Sequence, residues 1–486
     1  MEVAATKASF QKHPAYKDSG VEWLGEIPEG WKIKKLKFLG KIYPGLNGKK
    51  GDDFSKEYRP EMKPFIPFTN IYNNFKIDKA KYQFVKVADS ELQNRVKKFD
   101  LLFLMSSETI EDIGKCSLYD GEDSELYLNS FCKGFRLTSV EAYPYFINYL
   151  LKGEAYRKYF SITGRGFTRI NIKQEYVNDL VIPIPSLLEQ TAIAAFLDDK
   201  TAKIDRVITQ KQQMIALLKE RRQIIIQNAV TGKTNCLNHD SNDEHENYDS
   251  SKIKAHHKIS NNHNSRPMKD SGVEWIGEIP EGWESTRLGY HMDILSGYAF
   301  PSNGFSNEGV KLLRGINVGV DSIRWNETVF WPKTKIKGLE SYFLKVGDIV
   351  VGMDRPLIGK GMRVSIVQEQ DLPCMLLQRV TRLKAINNLS QFFLGLLLQN
   401  QDFVNYFLPI LSGVSVPHIS PSQIQDYPIV LPSKTEQEHI VSFVIEQSTK
   451  IDQAITLQHT QIKKLKEYKA TLIDSAVTGK IKVSAI

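Results

Sequence analysis

Residues 17–31 read KDSGVEWLGEIPEGW and residues 269–283 read KDSGVEWIGEIPEGW, so fourteen of fifteen positions agree across the two halves of the chain. A second repeat closes each half. Residues 185–233 lie on 432–480 without a gap, sharing Pro-Ser, Glu-Gln, Phe196/Phe443, Lys-Ile-Asp, Leu-Lys-Glu and a terminal Ala-Val-Thr-Gly-Lys. The interior diverges but keeps register: 65–71 faces 312–318, 100–105 faces 348–353, 145–151 faces 392–398, and Gly164 with 169–171 faces Gly413 with 418–420. All pairings are displaced by 247 to 252 residues. A period this long is a duplicated domain, not a solenoid unit, and 486 residues are enough to give each copy its own core.

Between the copies, 234–267 is polar, nearly free of apolar residues, and carries five of the ten histidines without the spacing of a metal site. It reads as a flexible tether. The chain as a whole is 41% apolar and 25% charged, ordinary for a soluble globular protein. The richest apolar run, 392–398, is seven residues long and contains Gly395, so no membrane span is expected. Cys116, Cys132, Cys236 and Cys374 are scattered; they exclude a CxxC finger and fit a reducing cytoplasm. The net charge of +8 is compatible with a nucleic-acid partner but does not demand one.

From Gln190 onward the period changes. Ile204, Ile208, Lys211, Ile215, Leu218, Arg222, Ile225 and Ala229 recur at alternating steps of four and three. Ile451, Ile455, Gln458, Ile462, Leu465, Lys469, Leu472 and Ala476 repeat the pattern in the second copy. Each is the seam of a long coiled-coil helix, entered after Pro185-Ser186 or Pro432-Ser433 and ended at Thr231-Gly232 or Thr478-Gly479. Two such stripes in one chain are most economically buried against each other as an antiparallel pair, with Lys211 and Gln458 fixing register. The rod would be roughly 60 Å long. It would suit two readers on separate stretches of B-DNA, which turns once in about 34 Å. The globular parts, 32–184 and 284–431, alternate short β-rich runs (101–105, 349–351, 362–367) with turns, and each holds one apolar helix near 142–151 or 389–400.

Motifs of catalysis are missing. The chain has no G-x-x-x-x-G-K-[S/T], no H-E-x-x-H, no G-x-S-x-G, no deaminase cysteine pattern, and no Asn/Asp-Pro-Pro-aromatic tetrapeptide of an amino methyltransferase. Glu108, Glu111 and Asp112 cluster in a turn-like segment without a counterpart in the second copy. No catalytic, cofactor-binding or metal-ligating residue is assigned.

The repeated KDSGVEWLGEIPEGW and KDSGVEWIGEIPEGW resemble the openings of the two target-recognition domains in specificity subunits of type I restriction–modification systems. PSLLEQTAIAAFLDDKTAKID and PSKTEQEHIVSFVIEQSTKID are similar to the starts of that family's central and C-terminal conserved helices, and the resemblance runs from about residue 16 to 480. It implies an α+β chain with two mostly β target-recognition domains, with added helices, joined by two long helices packed as an antiparallel coiled coil with pseudo-two-fold symmetry. The boundaries would be a tail (1–15), first recognition domain (16–184), central helix (185–233), linker (234–267), second recognition domain (268–431) and C-terminal helix (432–486). It implies a non-catalytic cytoplasmic host-defence subunit that reads a split, asymmetric target in double-stranded DNA. The partners would be two modification subunits that methylate adenine N6 with S-adenosylmethionine, with or without two restriction subunits using ATP and Mg2+. This chain would bind none of those cofactors.

Such domains read bases through variable loops, so the residues are chosen by chemistry: Asn and Arg pair with adenine and guanine edges. The candidates are Asn70, Asn73, Asn74, Ser106, Ser107, Arg165 and Arg169 in the first domain, and Arg314, Asn317, Arg355, Lys360, Arg363 and His418 in the second. Trp23/Trp275 and Trp31/Trp283, lying in near-identical segments, are expected to anchor packing. The outer helix faces, with Lys203, Asp205, Lys450 and Asp452, are expected at the modification-subunit interface. Two rival readings are a methylation-only system without restriction and a coiled-coil scaffold with no DNA role.

Overall fold

The computed structural model describes residues 10–166, 168–234, 236, 266–359, 361–411 and 417–483. Of the expected tether only Thr234, Cys236, Arg266 and Pro267 are among them. The chain forms two compact units: Met1–Gln212 with His459–Ile486, and Gln213–Gln458. Each unit therefore combines the globular part of one copy with the final half of the other copy's long helix.

Both units follow one plan. In the first, an antiparallel sheet runs in the order Cys116–Leu118, Leu101–Leu104, Cys132–Leu137, Gly40–Pro44. The second has Val364–Ile366, Ile349–Gly352, Val380–Ala385, Met292–Ser296 in the same order. Leu101–Leu104 and Ile349–Gly352 are central and buried along their whole length, which is why they read as unbroken apolar runs. A smaller sheet stands beside each, with one parallel pairing: Tyr127–Leu128 on Met62–Ile66, and Cys374–Leu376 on Val310–Leu313. The apolar helices are Pro144–Leu150 and Gln391–Gln399, each followed by a second, Glu154–Thr163 and Gln401–Leu411. The fold is thus α+β, as the resemblance implied.

The long helices span Leu187–Val230 and Lys434–Val477. Their starts are fastened identically. Gln190 is fully buried; its amide oxygen accepts from Tyr143 N at 2.8 Å, and its Nε2 donates to Glu141 O and Pro185 O at 2.7 and 3.0 Å. Gln437 does the same with Ser390 N (2.8 Å), Asn388 O (2.8 Å) and Pro432 O (3.0 Å). The ends are fastened by the tryptophan motif. In the first unit Ala476 and Val477 are buried with Ile27 and Trp31, and Gly479, at φ 77°, lies where a side chain would collide with Pro28. In the second, Ala229 and Val230 are buried with Ile279 and Trp283, and Gly232 at φ 74° meets Pro280. Trp31 also donates Nε1 to Glu189 at 3.1 Å. Trp23 rests on Tyr156 and Tyr159, whereas Trp275 packs more loosely on Tyr406, its ring half exposed.

The seam is buried where the heptads place it. Ile204, Ile462 and Leu472 are buried in the first unit with Ile208 and Leu465 partly so; Ile215, Leu218 and Ile451 are buried in the second, with Ile225 and Ile455 partly so. The helices are antiparallel within each unit: Lys211 donates to Gln461 and Lys469 to Asp205 (2.7 Å), and Arg222 donates through one nitrogen to both oxygens of Asp452 (2.8 and 2.7 Å). Asp205 and Asp452, expected on the outward docking faces, are therefore committed across the helix pair. Lys203 and Lys450 pair along their own helices, with Asp199 and Glu446, both at 2.8 Å.

Two outcomes follow from this packing. Gln437→Ala leaves the half-buried Ser390 N–H and two carbonyls without their partner, so the second unit should lose about 1–3 kcal/mol, read by urea unfolding. Lys152, against Cys116 O (3.3 Å) and the Phe75 ring (5.2 Å), is pushed down to about 8 by burial. Its charge therefore opposes folding below the unfolded lysine range, and stability should rise as pH climbs from about 8 toward 10. Lys152→Met should raise stability at pH 7 by about 1–2 kcal/mol, read as a higher melting point, and have little effect at pH 10.5.

Candidate nucleic-acid interface

Three backbone segments meet at the end of the central strand in each unit. In the first, the strand Leu101–Leu104 runs on into Met105, Ser106 and Ser107, and Met105 N donates to Phe131 O at 3.1 Å. Ser106 and Ser107 pair with Asn171 and Ile170, and Ile172 N donates to Met105 O at 3.0 Å. In the second unit Met353 N donates to Arg379 O at 2.9 Å, Ile419 N to Met353 O at 3.0 Å, and Asp354 bridges His418. The scaffold is the same; the side chains it presents differ.

Ser106 and Ser107 are half-buried, and Arg165 and Arg169 are exposed. Arg165 donates to its own loop carbonyls, Gly164 O at 2.8 Å and Ile162 O. Its backbone pairs with Asn171 in both directions, at 3.1 and 2.9 Å, and the neighbouring Gly166 stands at φ 141°. The Arg169 guanidinium lies 4.5 Å from the centre of the exposed Phe131 ring. These residues form one surface. Asn70 and Asn73 belong to a separate helical turn, Phe68–Asn73, with Asn74 just past its end, and the turn is tied to the sheet through Ser117 Oγ, which donates to Ile71 O at 2.9 Å.

The second unit's surface is more strongly basic. Arg355 is exposed at φ 46°, its N–H donating to Pro417 O at 2.8 Å. Asp354 accepts from His418 Nδ1 at 2.6 Å and lies 3.4 Å from Arg379 Nη1. Arg363 is held below the usual arginine range by burial first, and then by the like charges of Arg324 and Arg355. Cations gathered so closely suit a polyanion.

Several sequence expectations need correction. Asn70 and Asn317 are fully buried. Asn70 accepts from Asp78 N (3.0 Å) and Asn74 Nδ2 (2.9 Å) and donates to Asp78 O (2.9 Å). Asn317 accepts from Arg314 N (3.1 Å) and donates to Arg324 O and Asn326 O (2.9 and 3.0 Å). Both amides clamp a loop and present no edge to a base. Asn74 supports that clamp, and the exposed Asn73 donates to Thr69 O at 2.9 Å. Arg363 is spent on Arg355 O, Gly315 O and Val318 O at 2.9, 3.0 and 2.9 Å. Arg314 reaches Glu327 O at 3.3 Å. Lys360 lies outside the described residues. The register also shifts: hydrogen bonding equates His418 with Asn171, not Arg169. Phe131, Asn171, Arg324 and Arg379 join the surface although none of them is among the candidates chosen from the sequence. Only their positions mark them, beside the central strands or, for Arg324, in the loop that Asn317 clamps, and those positions exist in the fold alone.

Among the described residues no group of three or more His, Cys, Asp or Glu could hold a metal ion, and no helix is long and apolar enough to cross a membrane. Glu108, Glu111 and Asp112 remain a surface turn in which Asp112 pairs with Lys115 at 2.7 Å. A family model, the type I restriction modification DNA specificity domain, matches residues 28–216 and 280–467, once in each copy. The chain belongs to this family. It is 41% identical to the EcoAI specificity subunit of Escherichia coli over 166 residues, 34% of this chain and 28% of that subunit. It is 25% identical to the MjaVIII specificity subunit of Methanocaldococcus jannaschii over 465 residues, 94% of both chains. A solved chain from a type I restriction–modification system shares the fold, with a TM-score of 0.63 at 16% identity over 94% of this chain and 99% of that one.

The buried amides separate scaffold from reader within the specificity domain. Asn70→Ala and Asn317→Ala should each destabilise their unit by about 2 kcal/mol in thermal melts while leaving the order of preference among DNA sequences unchanged.

Proposed function

We propose that this chain is the non-catalytic subunit that reads a bipartite, asymmetric target in double-stranded DNA. It directs two modification subunits, and restriction subunits where present, to act there in the cytoplasm. The observation that carries this reading is one scaffold bearing two different surfaces: Ser106, Phe131 and Asn171 against Asp354, Arg379 and His418 at equivalent backbone positions. Equal scaffolds dock on a duplex alike, and unequal side chains read different bases, so the halves of the target differ. Arg169, Arg355 and Arg324 supply charge against phosphate, and affinity falls as salt rises.

The partners supply the chemistry: adenine N6 methylation with S-adenosylmethionine after the base is flipped out, and ATP-driven restriction with Mg2+. This chain positions them, and the helix pair acts as a spacer between the half-sites.

Genome-wide mapping of N6-methyladenine in the host, with and without this gene, tests the reading. Loss of methylation at one two-part motif is the expected result; an unchanged methylome would refute it. Adding one heptad to both helices lengthens the pair by about 10 Å. The unspecified gap should then grow by about three base pairs, at 3.4 Å each, with both half-sites retained.

A further inference from the structure

Phe131 and Arg379 stand at one structural position in the two units. Each immediately precedes the strand that pairs with the central one, Cys132–Leu137 or Val380–Ala385, and each holds its backbone through the same bond, a carbonyl accepting from Met105 N or Met353 N. The backbone is fixed by the sheet, while the side chain faces solvent.

Neither side chain is explained by folding. The Phe131 ring is 45% exposed at the strand end, sharing its face with the Arg169 guanidinium. An aromatic ring buried against a core would gain far more than one left in water. Arg379 has its side chain 60% exposed and its backbone at φ 70°, a conformation that costs an arginine energy and that glycine or asparagine would adopt more easily. The chain keeps a large, exposed side chain at both sites, and the two differ in chemistry while their carbonyls accept the same hydrogen bond from the central strand.

We propose that this shared position is the specificity determinant of each half-site, with Arg379 reading a guanine and Phe131 meeting the methyl group of a thymine. The inference rests on the DNA-reading function above. Asp354 holds one nitrogen of Arg379 at 3.4 Å and His418 Nδ1 at 2.6 Å, which orients the guanidinium and leaves its other donors free to fork onto O6 and N7 of guanine. An apolar ring has no such donors. In the major groove it discriminates through the one apolar feature there, the thymine methyl. Arg169 stacked on Phe131 fixes the ring and supplies charge towards the phosphates.

The test uses the whole complex in the host, carrying Arg379→Ala, Arg379→Lys or Phe131→Ala, with methylation motifs mapped for each. Arg379→Ala should relax one guanine position in one half-site by roughly ten- to a hundredfold, with the other half-site read as before. Arg379→Lys should relax the same position, because a point charge does not replace the fork. Phe131→Ala should relax one thymine position in the opposite half-site. An unchanged motif in Arg379→Ala or Phe131→Ala, or relaxation at a base other than guanine or thymine respectively, overturns the proposal. If a variant loses all methylation, the purified complex is tested for binding to duplexes substituted at each position: lost preference at that one base supports the assignment, and retained preference overturns it. Failure of the DNA-reading function itself looks different, since deleting the gene would then leave methylation intact.

Discussion

The burial of a helix end beneath a tryptophan closes each unit, and the remaining architecture depends on it. Trp31 covers the end of the helix Lys434–Val477, and Trp283 covers the end of Leu187–Val230. A buried indole removes on the order of 200 Å² from water. At about 25 cal/mol per Å² that is roughly 5 kcal/mol at each site before entropy is counted. Only a glycine at φ above 70° lets the chain leave the helix so close to Pro28 or Pro280. This is why the Pro-Glu-Gly-Trp segments and the Thr-Gly ends are the parts of the sequence that the two copies hold most nearly in common.

With the ends pinned and the starts fastened by Gln190 and Gln437, the seam between the helices has little freedom of register. The pairs Lys469–Asp205 and Arg222–Asp452 repeat one another in the two units. Partly exposed ion pairs of this kind add little to stability. Their value is selective: a one-residue slip along the seam would separate both charges from their partners and bring isoleucines to solvent. Apolar burial thus supplies the strength of the assembly, and polar groups supply its alignment.

What could be read beforehand divides along physical lines. The duplication, the heptads and the two central strands were legible because period and composition are local signals. Family membership was legible because its motifs lie in the shared scaffold. The recognition surface was only partly so. Asparagine is equally suited to adenine and to clamping a loop, and only the buried setting of Asn70 and Asn317 shows which it does here. Arg363 is ambiguous for a similar reason, and only the fold shows that three nearby carbonyls accept from its guanidinium. The two-residue misregister at His418 arose because glycines guided the alignment, whereas the buried isoleucines Ile172 and Ile419, hydrogen-bonded to Met105 and Met353, are what the fold holds constant. Phe131 and Arg379 share neither residue type nor flanking sequence, so nothing short of the sheet pairing equates them.

The exchange of helix ends bears on how such a chain came to exist. One copy alone would possess a tryptophan cradle without the helix end that fills it, and a helix end without its cradle. Two separate copies could satisfy each other only by reciprocal exchange, as a symmetric dimer whose formation depends on concentration. Joining them in one polypeptide makes the exchange intramolecular and frees it from that dependence. It also removes the requirement that the partners be identical. Once linked, each copy could change its outward side chains without losing its counterpart, so an asymmetric protein can be reached from a symmetric one through steps that never open the core.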